Sequence, residues 1–208
     1  MFTGIVQGTA RIKSIESKQN LNKLTVIFPN SSLKNLNRGA SIALNGCCLT
    51  VTEFDTDASI ACFDVMQESL RATNLGGLQE GSIVNFERAA KIGDEIGGHL
   101  MSGHITTTIT LVDRKETETN CELVFSCADD LRPYILPKGF VGLNGCSLTI
   151  GSNVRDTFSV HLIPETLEVT TFGQLECGAK VNIEIDPSTQ AIVDTVERYL
   201  ERRQECQN

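Results

Sequence analysis

Short segments in which apolar and polar residues alternate run along most of the chain, separated by stretches rich in glycine and asparagine. Alternation of this kind, in segments rich in Val, Ile, Thr, Leu and Phe, predicts β-strands. In the first half the predicted strands are 24–28, 41–44, 48–54, 59–65 and 83–88. In the second half they are 123–127, 142–143, 147–152, 157–163 and 180–185. With about six strands per half and no room for crossover helices between most of them, a small antiparallel barrel is favoured over a parallel sheet.

Helical patterns are few. Brief helical turns are predicted at 31–36, 68–75, 128–135 and 165–172. A longer helix is predicted from 188 to about 203, because Asp186 and Pro187 form a typical helix start. Its apolar residues recur at helical spacing and form one stripe: Ile192, Val196, Tyr199 and Leu200. Two interpretations stay open, since the stripe can pack on a barrel of the same chain or join subunits.

The two halves of the chain repeat each other. Residues 45–51 return as 144–150, with five of seven positions identical at an offset of 99. Glu68 and eight further residues up to Glu87 return at an offset of 97. A period this long indicates duplication of a whole domain rather than a solenoid, so we expect two domains with a core each.

Composition and charge argue against several classes of protein. The net charge of −8 argues against a nucleic-acid partner. No apolar run is long enough to span a membrane, and the N-terminus lacks the features of a signal peptide, so a cytoplasmic protein is expected. Most of the eight cysteines are then expected to be free thiols, some of them buried. Their spacing does not match a zinc site, and no metal is expected.

Candidate chemistry lies in the repeated strands. Alternation places Cys48 and Thr50 on one face of a strand and Cys47 on the other, and Ser147 and Thr149 occupy the same face in the second half. A cysteine in a strand is more often a small core residue than a nucleophile. The same holds for the histidines of the 97–104 stretch, which are more often structural than catalytic. The glycines of that stretch lack a following helix, which disfavours a phosphate-binding loop.

Five segments in order give the chain a family resemblance: 1–6 (MFTGIV), 45–51 (NGCCLTV), 87–91 (ERAAK), 97–104 (GGHLMSGH) and 161–167 (HLIPETL). Together they resemble riboflavin synthases, the enzymes that dismutate lumazine. The resemblance runs from the first residue into the terminal helix. It implies an all-β fold of two tandem six-stranded antiparallel Greek-key barrels plus a C-terminal α-helix. The expected divisions are residues 1–97 and 98–187 for the two lumazine-binding barrels and 188–208 for a trimerisation helix.

The resemblance also implies the reaction. Two molecules of 6,7-dimethyl-8-ribityllumazine exchange a four-carbon unit and give riboflavin and 5-amino-6-(ribitylamino)uracil, without a cofactor. The expected assembly is a homotrimer whose active site lies between the N-terminal barrel of one subunit and the C-terminal barrel of the next. Association with lumazine synthase is left open.

Pocket residues follow from the resemblance. The pocket of the first barrel is assigned Gly4, Ile5, Val6, Ser41, Cys48, Leu49, Thr50, Asp64, Val65, Met66, Gln67, Glu68 and Ser69. The pocket of the second barrel is assigned Gly103, His104, Ile105, Lys138, Ser147, Leu148, Thr149, Leu162, Ile163, Pro164, Glu165, Thr166 and Leu167.

Roles are expected for a few of these residues. Cys48 is the candidate nucleophile or polar contact. His104, with Ser147 and Thr149, is the candidate for proton transfer, because an imidazole gains and loses a proton near neutral pH. Asp186 either positions a ribityl hydroxyl or caps the terminal helix, and His99 is expected to be structural. A non-catalytic lumazine- or flavin-binding paralogue is the alternative function. A flavin-binding barrel of a reductase is a third, which would need an attached nicotinamide-binding domain.

Overall fold

The computed structural model describes residues 1–152 and 154–205 and consists mostly of strands. Six strands form the first half: β1 Gly8–Lys18, β2 Leu21–Ile27, β3 Ser41–Leu44, β4 Cys47–Asp55, β5 Ile60–Met66 and β6 Ile83–Arg88. Six more form the second: β7 Thr107–Glu116, β8 Cys121–Ser126, β9 Phe140–Leu143, β10 Cys146–Thr149, β11 Thr157–Leu162 and β12 Lys180–Ile185. The helices are α1 Gln67–Ala72, α2 Pro164–Val169 and α3 Pro187–Glu205.

Both halves have the same antiparallel topology. The first closes into a barrel in the order β1-β2-β5-β4-β3-β6. The second runs β10-β9-β12-β7-β8-β11, which is the same cyclic order. A single bridge between Ile150 and Val160 joins β10 to β11. The equivalent strands of the first barrel, β4 and β5, pair along a full ladder. The predicted all-β class with two six-stranded barrels is therefore confirmed.

Each barrel has its own core. The first is filled by inward-facing residues such as Leu24, Phe63 and Phe86, and the second by Phe125, Phe158 and their neighbours. Buried and less buried residues alternate along β4, where Cys47, Leu49 and Val51 are buried while Thr50 is exposed. The predicted faces of this strand are confirmed, and Cys48 is half-buried on the side of Thr50.

The sequence predictions missed β1 and β7 altogether. Each strand carries a bulge, between Ile12 and Ser14 in β1 and between Leu111 and Asp113 in β7. A bulge shifts every later side chain by one position and so breaks the two-residue period. The segment 31–36 forms consecutive turns instead of the expected helical turn, with Ser31 and Asn35 at positive φ. Between 128 and 135, only Arg132–Tyr134 is helical.

The barrels meet across a pseudo-twofold axis. Asn45 and Gly46 form a two-residue hairpin with φ of 44° and 80°, the type I′ turn that an Asn-Gly pair favours. Asn144 and Gly145 repeat it. A Cβ atom on Gly46 would lie 2.7 Å from the Gly145 nitrogen, so the two turns touch through glycine backbones. On such an axis a residue meets its own repeat.

Buried asparagines join the barrels at this axis. Asn182 Nδ2 donates to the Asn45 carbonyl (2.8 Å), and the amide of Asn74 donates to Asn182 Oδ1 (2.7 Å). The repeat is present too, because Asn85 Nδ2 donates to the Asn144 carbonyl (2.9 Å). In a solvent-exposed turn, water would hydrogen-bond to these backbone carbonyls. Here side chains of the other barrel satisfy them instead.

The segments before β1 and β7 cross over to the opposite barrel. Phe2 and Met101 pair with each other across the axis, with N–H to carbonyl distances of 2.8 and 3.0 Å. Further along, the Ser147 amide in β10 donates to the Gly4 carbonyl (2.8 Å), and the Cys48 amide in β4 donates to the Gly103 carbonyl (2.9 Å). Each barrel therefore has a short segment from the other half of the chain hydrogen-bonded to one of its strands.

Two buried carboxylates hold the crossed segments. Glu87 accepts hydrogen bonds from the Thr3 amide (2.6 Å), the Thr3 hydroxyl (2.9 Å) and the Gly4 amide (3.1 Å). Glu184 does the same with Ser102 and Gly103, at 2.6, 2.8 and 3.1 Å. Burial raises the pKa of both carboxyls, although these hydrogen bonds act in the opposite direction.

The terminal helix α3 confirms the predicted start and length, within the residues that the structure describes; 206–208 lie outside them. Tyr134 donates a hydrogen bond to Asp194 (2.7 Å) and ties the helix to the second barrel. The predicted apolar stripe lies on the other side: Ile192, Val196, Tyr199 and Leu200 are between 50% and 65% exposed. One face of α3 thus meets its own barrel, while the stripe is uncovered within the chain. None of the described helices is long and apolar enough to cross a membrane.

Candidate functional site

A cleft of about 290 Å³ lies on the second barrel, where the first crossed segment reaches it. We call it the Gly4 cleft. One wall is the chain from Gly4 to Gln7, and another is the start of β10. Helix α2 supplies the remaining wall. Its lining residues are Gly4, Ile5, Val6, Gln7, Cys146, Ser147, Leu148, Glu165, Thr166, Val169 and Thr170.

Its repeat lies on the first barrel and has a volume of about 370 Å³. We call it the Gly103 cleft. The crossed segment 103–106, the start of β4 and helix α1 form its walls. Its lining residues are Cys47, Glu68, Ser69, Ala72, Thr73, Gly103, His104, Ile105 and Thr106. The clefts share no residue, so the duplicated chain offers two similar but separate binding places.

The structure groups the predicted pocket residues differently from the expectation. Gly4, Ile5 and Val6 were expected in the first barrel but line a cleft on the second. The stretch from Gly103 to Ile105 was expected in the second barrel but lines a cleft on the first. The physical reason is the crossing of the two segments, which sequence proximity does not reveal.

Other predicted residues divide by exposure. Thr50, Asp64, Met66, Thr149, Ile163 and Pro164 are exposed on or beside the same strands, while Ser41 and Gln67 are half-buried. Ser41 pairs with Thr50 across β3 and β4. Leu49, Val65 and Leu162 belong to the barrel cores, and Leu167 packs against the second. These core positions can shape the site only through the backbone.

Lys138 and Asp186 are predicted site residues that lie outside the lining of both clefts. Lys138 is exposed in the loop before β9, with φ of 67°. Asp186 accepts hydrogen bonds from both the amide and the hydroxyl of Thr189, each at 2.8 Å, at the start of α3. This is the geometry of a helix N-cap, one of the two roles considered for Asp186.

Cysteines of the paired strands differ in environment. Cys47 and Cys146 are buried, and burial raises the pKa of each thiol to about 12. Both thiols therefore stay protonated and unreactive near neutral pH. Cys48, one residue further on, is only half-buried and packs beside Phe2, Ala43 and Met101. Cys48 is the most exposed of these three thiols, although Cys146 and Cys47, and not Cys48, are among the lining residues of the Gly4 and Gly103 clefts.

Histidines occupy unexpected places. His104 is exposed, lines the Gly103 cleft and does not contact Ser147, the residue with which it was grouped. His99, expected to be structural, is the histidine that reaches Ser147, with 2.6 Å between its Nδ1 and the serine Oγ. Burial lowers the pKa of His99, with the nearby Asp186 acting weakly against it. His99 is thus neutral near neutral pH.

Eight lining residues were not predicted, and they form four repeat pairs. Cys47 and Cys146 are equivalent at the offset of 99, as are Gln7 and Thr106. At the offset of 97, Ala72 is equivalent to Val169, and Thr73 to Thr170. Because both members of every pair were missed, the duplication alone could not have identified them; the signal was their closeness in sequence to predicted residues, as for Gln7 after Val6 and Cys146 before Ser147.

A third and larger cleft, of about 560 Å³, lies on the far side of Ile5 along the linker between the barrels. Acidic groups line it, among them Glu87, Asp94 and Glu95. These acidic residues line neither the Gly4 cleft nor the Gly103 cleft, and we do not assign the third cleft to the duplicated site. Within residues 1–152 and 154–205 there is no cluster of side chains suited to hold a metal ion.

Comparisons with known proteins agree with the duplication. The family model described as the lumazine binding domain matches twice, at residues 3–89 and 102–186. A riboflavin synthase of Escherichia coli (strain K12) is 55% identical over 209 residues, covering 100% of this chain and 97% of the relative. A riboflavin synthase of Buchnera aphidicola subsp. Baizongia pistaciae is 47% identical over 201 residues, covering 96% and 94%. Crystal structures of LumP are similar in fold. The complex with 6,7-dimethyl-8-(1'-D-ribityl) lumazine has a TM-score of 0.80 and 28% identity over 89% of this chain and 99% of that one.

Proposed function

Since the chain belongs to the riboflavin synthase family, whose lumazine binding domain it carries twice, we propose that it transfers a four-carbon unit between two molecules of 6,7-dimethyl-8-ribityllumazine. The products are riboflavin and 5-amino-6-(ribitylamino)uracil. The observation that carries this proposal is the pair of clefts. A dismutation needs two places for the same molecule, and the Gly4 and Gly103 clefts have equivalent walls.

Each cleft has the chemistry of a site for a flat heterocycle. In the Gly4 cleft, apolar side chains of Ile5, Val6 and Leu148 can cover the ring faces. Polar groups such as the hydroxyls of Ser147 and Thr166 can bind its edge and the ribityl chain. The Gly103 cleft offers Ile105 together with the polar side chains of Ser69 and Thr73.

The reaction needs a proton acceptor and an electrophilic ring carbon. The 7-methyl group of lumazine is acidic, because its anion delocalises into the electron-poor pteridine ring. We propose that His104 and the pair formed by Ser147 and Thr149 handle protons, and that Cys48 contacts or attacks the acceptor molecule. The half-buried position of Cys48 and the exposure of His104 support access to substrate.

Holding both rings face to face supplies the effective molarity on which such cofactor-free chemistry depends. Because the two clefts share no residue, we propose that the reacting pair forms between two chains of a homotrimer. The uncovered stripe of Ile192, Val196, Tyr199 and Leu200 on α3 supports an apolar contact between subunits.

The seven free cysteines among the described residues support a reducing compartment, and we propose the cytoplasm. Association with lumazine synthase stays an expectation that co-sedimentation of the two proteins tests.

The test is to incubate the purified protein with the lumazine alone and follow riboflavin fluorescence. One riboflavin is expected per two lumazines consumed, with no added nucleotide or reductant and no loss of rate after treatment with a chelator. Binding without turnover would instead favour the alternative of a lumazine-binding paralogue. The identity of 55% to a riboflavin synthase, against 28% to LumP, favours the enzyme.

A further inference from the structure

The backbone amide of His104 belongs to a short chain of hydrogen bonds that ends on a buried carboxylate. This amide donates to the Ser102 hydroxyl (3.0 Å), and the hydroxyl donates in turn to Glu184 Oε1 (2.8 Å). A serine hydroxyl can do both at once, because it has one proton to donate and lone pairs that accept. Ser102 therefore connects a carboxylate of β12 to a residue that lines the Gly103 cleft.

Glu184 is well fixed itself. It is 2% exposed, and it also accepts hydrogen bonds from the backbone amides of Ser102 (2.6 Å) and Gly103 (3.1 Å). Burial raises the pKa of Glu184, whereas these donors and the charge of a protonated His104 act in the opposite direction. All of its hydrogen-bond partners donate, which is the arrangement that suits an ionised carboxylate.

Gly103, between Ser102 and His104, cannot move away from this position. Its φ is 81°, and a Cβ atom on it would lie 2.5 Å from the Cys48 Cβ. Its amide is held by Glu184, and its carbonyl accepts from the Cys48 amide (2.9 Å). His104 is exposed, so neighbouring side chains do not enclose its ring. The backbone that enters His104 thus sets the place from which the imidazole reaches the cleft.

The first crossed segment contains the same arrangement without a histidine. The Ile5 amide donates to the Thr3 hydroxyl (3.3 Å), which donates to Glu87 Oε1 (2.9 Å). Ile5 is the repeat equivalent of His104, at the offset of 99. The arrangement is therefore a support common to both clefts. Only in the second segment does it act on a side chain that can accept a proton.

We propose that Glu184 is a positioning residue for His104 and acts through the Ser102 hydroxyl. It holds the imidazole where a ring nitrogen can take a proton from the 7-methyl group of lumazine, while the electron pair of the C–H bond passes into the pteridine ring. Glu184 contacts neither the substrate nor this proton. The inference rests on the proposed function and adds to it the group that fixes the proton acceptor of the Gly103 cleft.

Two matched variants remove one hydroxyl each. Ser102→Ala breaks the connection to the His104 amide but leaves two backbone amides on Glu184, and Thr3→Val makes the equivalent change in the other segment. The kcat and KM of riboflavin formation are measured together with the lumazine Kd. The exchange of the 7-methyl protons with deuterated water, followed by NMR, reports proton removal separately from the later steps.

We expect Ser102→Ala to lose at least about tenfold in kcat and in exchange rate, with Kd changed by less than about threefold. Ser102→Thr should recover most of the loss, because it restores the hydroxyl that Thr3 supplies in the repeat. The loss of exchange in Ser102→Ala should exceed that in Thr3→Val by at least about fivefold. Glu184→Gln should lose at least as much as Ser102→Ala, since an amide has one acceptor oxygen where the carboxylate has two.

A double-mutant cycle with His104→Gln tests whether the support acts through the imidazole. The double variant with Ser102→Ala should exchange no more slowly than His104→Gln alone, because the group that Ser102 positions is already absent. Full additivity of the two losses would overturn the inference. So would an equal loss of exchange in Ser102→Ala and Thr3→Val, or loss of folding in both Ser102→Ala and Glu184→Gln, since each would make the support purely structural.

The wild-type protein separates the two levels of the claim. Turnover by the wild type together with unchanged methyl exchange in Ser102→Ala would refute the positioning role alone. Failure of the wild type to form riboflavin would refute the proposed function, and the positioning role with it.

Discussion

Replacing Asn182 by alanine tests how strongly the buried asparagines couple the two barrels. The change deletes the hydrogen bond from Nδ2 to the Asn45 carbonyl and the one that Oδ1 accepts from the Asn74 amide. Asn182 is 0% exposed and Asn45 is 4% exposed, so the carbonyl that loses its partner is shielded from water. An unsatisfied buried group costs about 1–3 kcal/mol.

The Asn74 amide is only partly buried and regains some of its loss by contacting water. Together the two groups give an expected loss of about 3 kcal/mol in the free energy of unfolding. With a urea slope of about 2 kcal/mol per molar, the unfolding midpoint should fall by about 1.5 M. Far-UV circular dichroism at matched protein concentration measures it, since subunit association makes apparent stability concentration-dependent.

Two further variants complete the experiment. Asn85→Ala, the repeat equivalent, removes the donor to the Asn144 carbonyl and the acceptor of the Thr171 amide, and it should cost a similar amount. Asn37→Ala, at an exposed turn, should leave the midpoint unchanged. A loss below about 1 kcal/mol in both buried variants would mean that water replaces the side chains at the axis, and the coupling role would be wrong.

Three more predictions concern the thiols, the carboxylates and the terminal helix. Cys48→Ser should lose far more riboflavin-forming rate than Cys47→Ser while both still bind lumazine, and equal rates would remove any role for the Cys48 thiol. Because burial raises the pKa of Glu87 above 4.5, its stabilising effect is complete below that pH and is lost as the pH rises through the folded-state value. The free energy of unfolding of wild type minus that of Glu87→Gln should therefore be larger at about pH 5 than at about pH 7 in urea titrations, and the opposite trend would contradict the direction of the shift. Removing residues 188–208 should give folded, lumazine-binding monomers without turnover, as judged by sedimentation and activity on one sample, whereas active monomers would exclude a site between subunits.

The repeat and the strand periodicity were sufficient to predict two antiparallel barrels, because both are local properties of the sequence. The bulges between Ile12 and Ser14 and between Leu111 and Asp113 hid the first strand of each barrel, since they break the period on which the prediction depends. The terminal helix was predictable from its Asp-Pro start and its apolar stripe.

The sequence predicted many of the residues that belong to the site, but not which of them contact each other. Residues such as Gly4 and Ser147 were identified by resemblance, but their contact crosses from one barrel to the other, and no periodicity encodes it. His99 was taken as structural for the same reason, because its partner lies 48 residues away on another strand. Contacts of this kind depend on how the two halves dock, which the sequence of either half does not specify.

The crossed segments also bear on the history of the chain. Each half lends residues 2–6 or 101–105 to the other and completes the other's cleft, so neither half holds a whole cleft of its own. A protein made of one barrel would complete its cleft only by pairing with a second copy and exchanging these segments. Phe2 of one copy would then pair with Phe2 of the other, where Phe2 now pairs with Met101. Duplication within one chain makes such a pairing covalent and allows the two copies to differ in sequence. Cys48 beside one crossed segment and Ser147 beside the other mark this divergence, which leaves the two equivalent clefts chemically unequal.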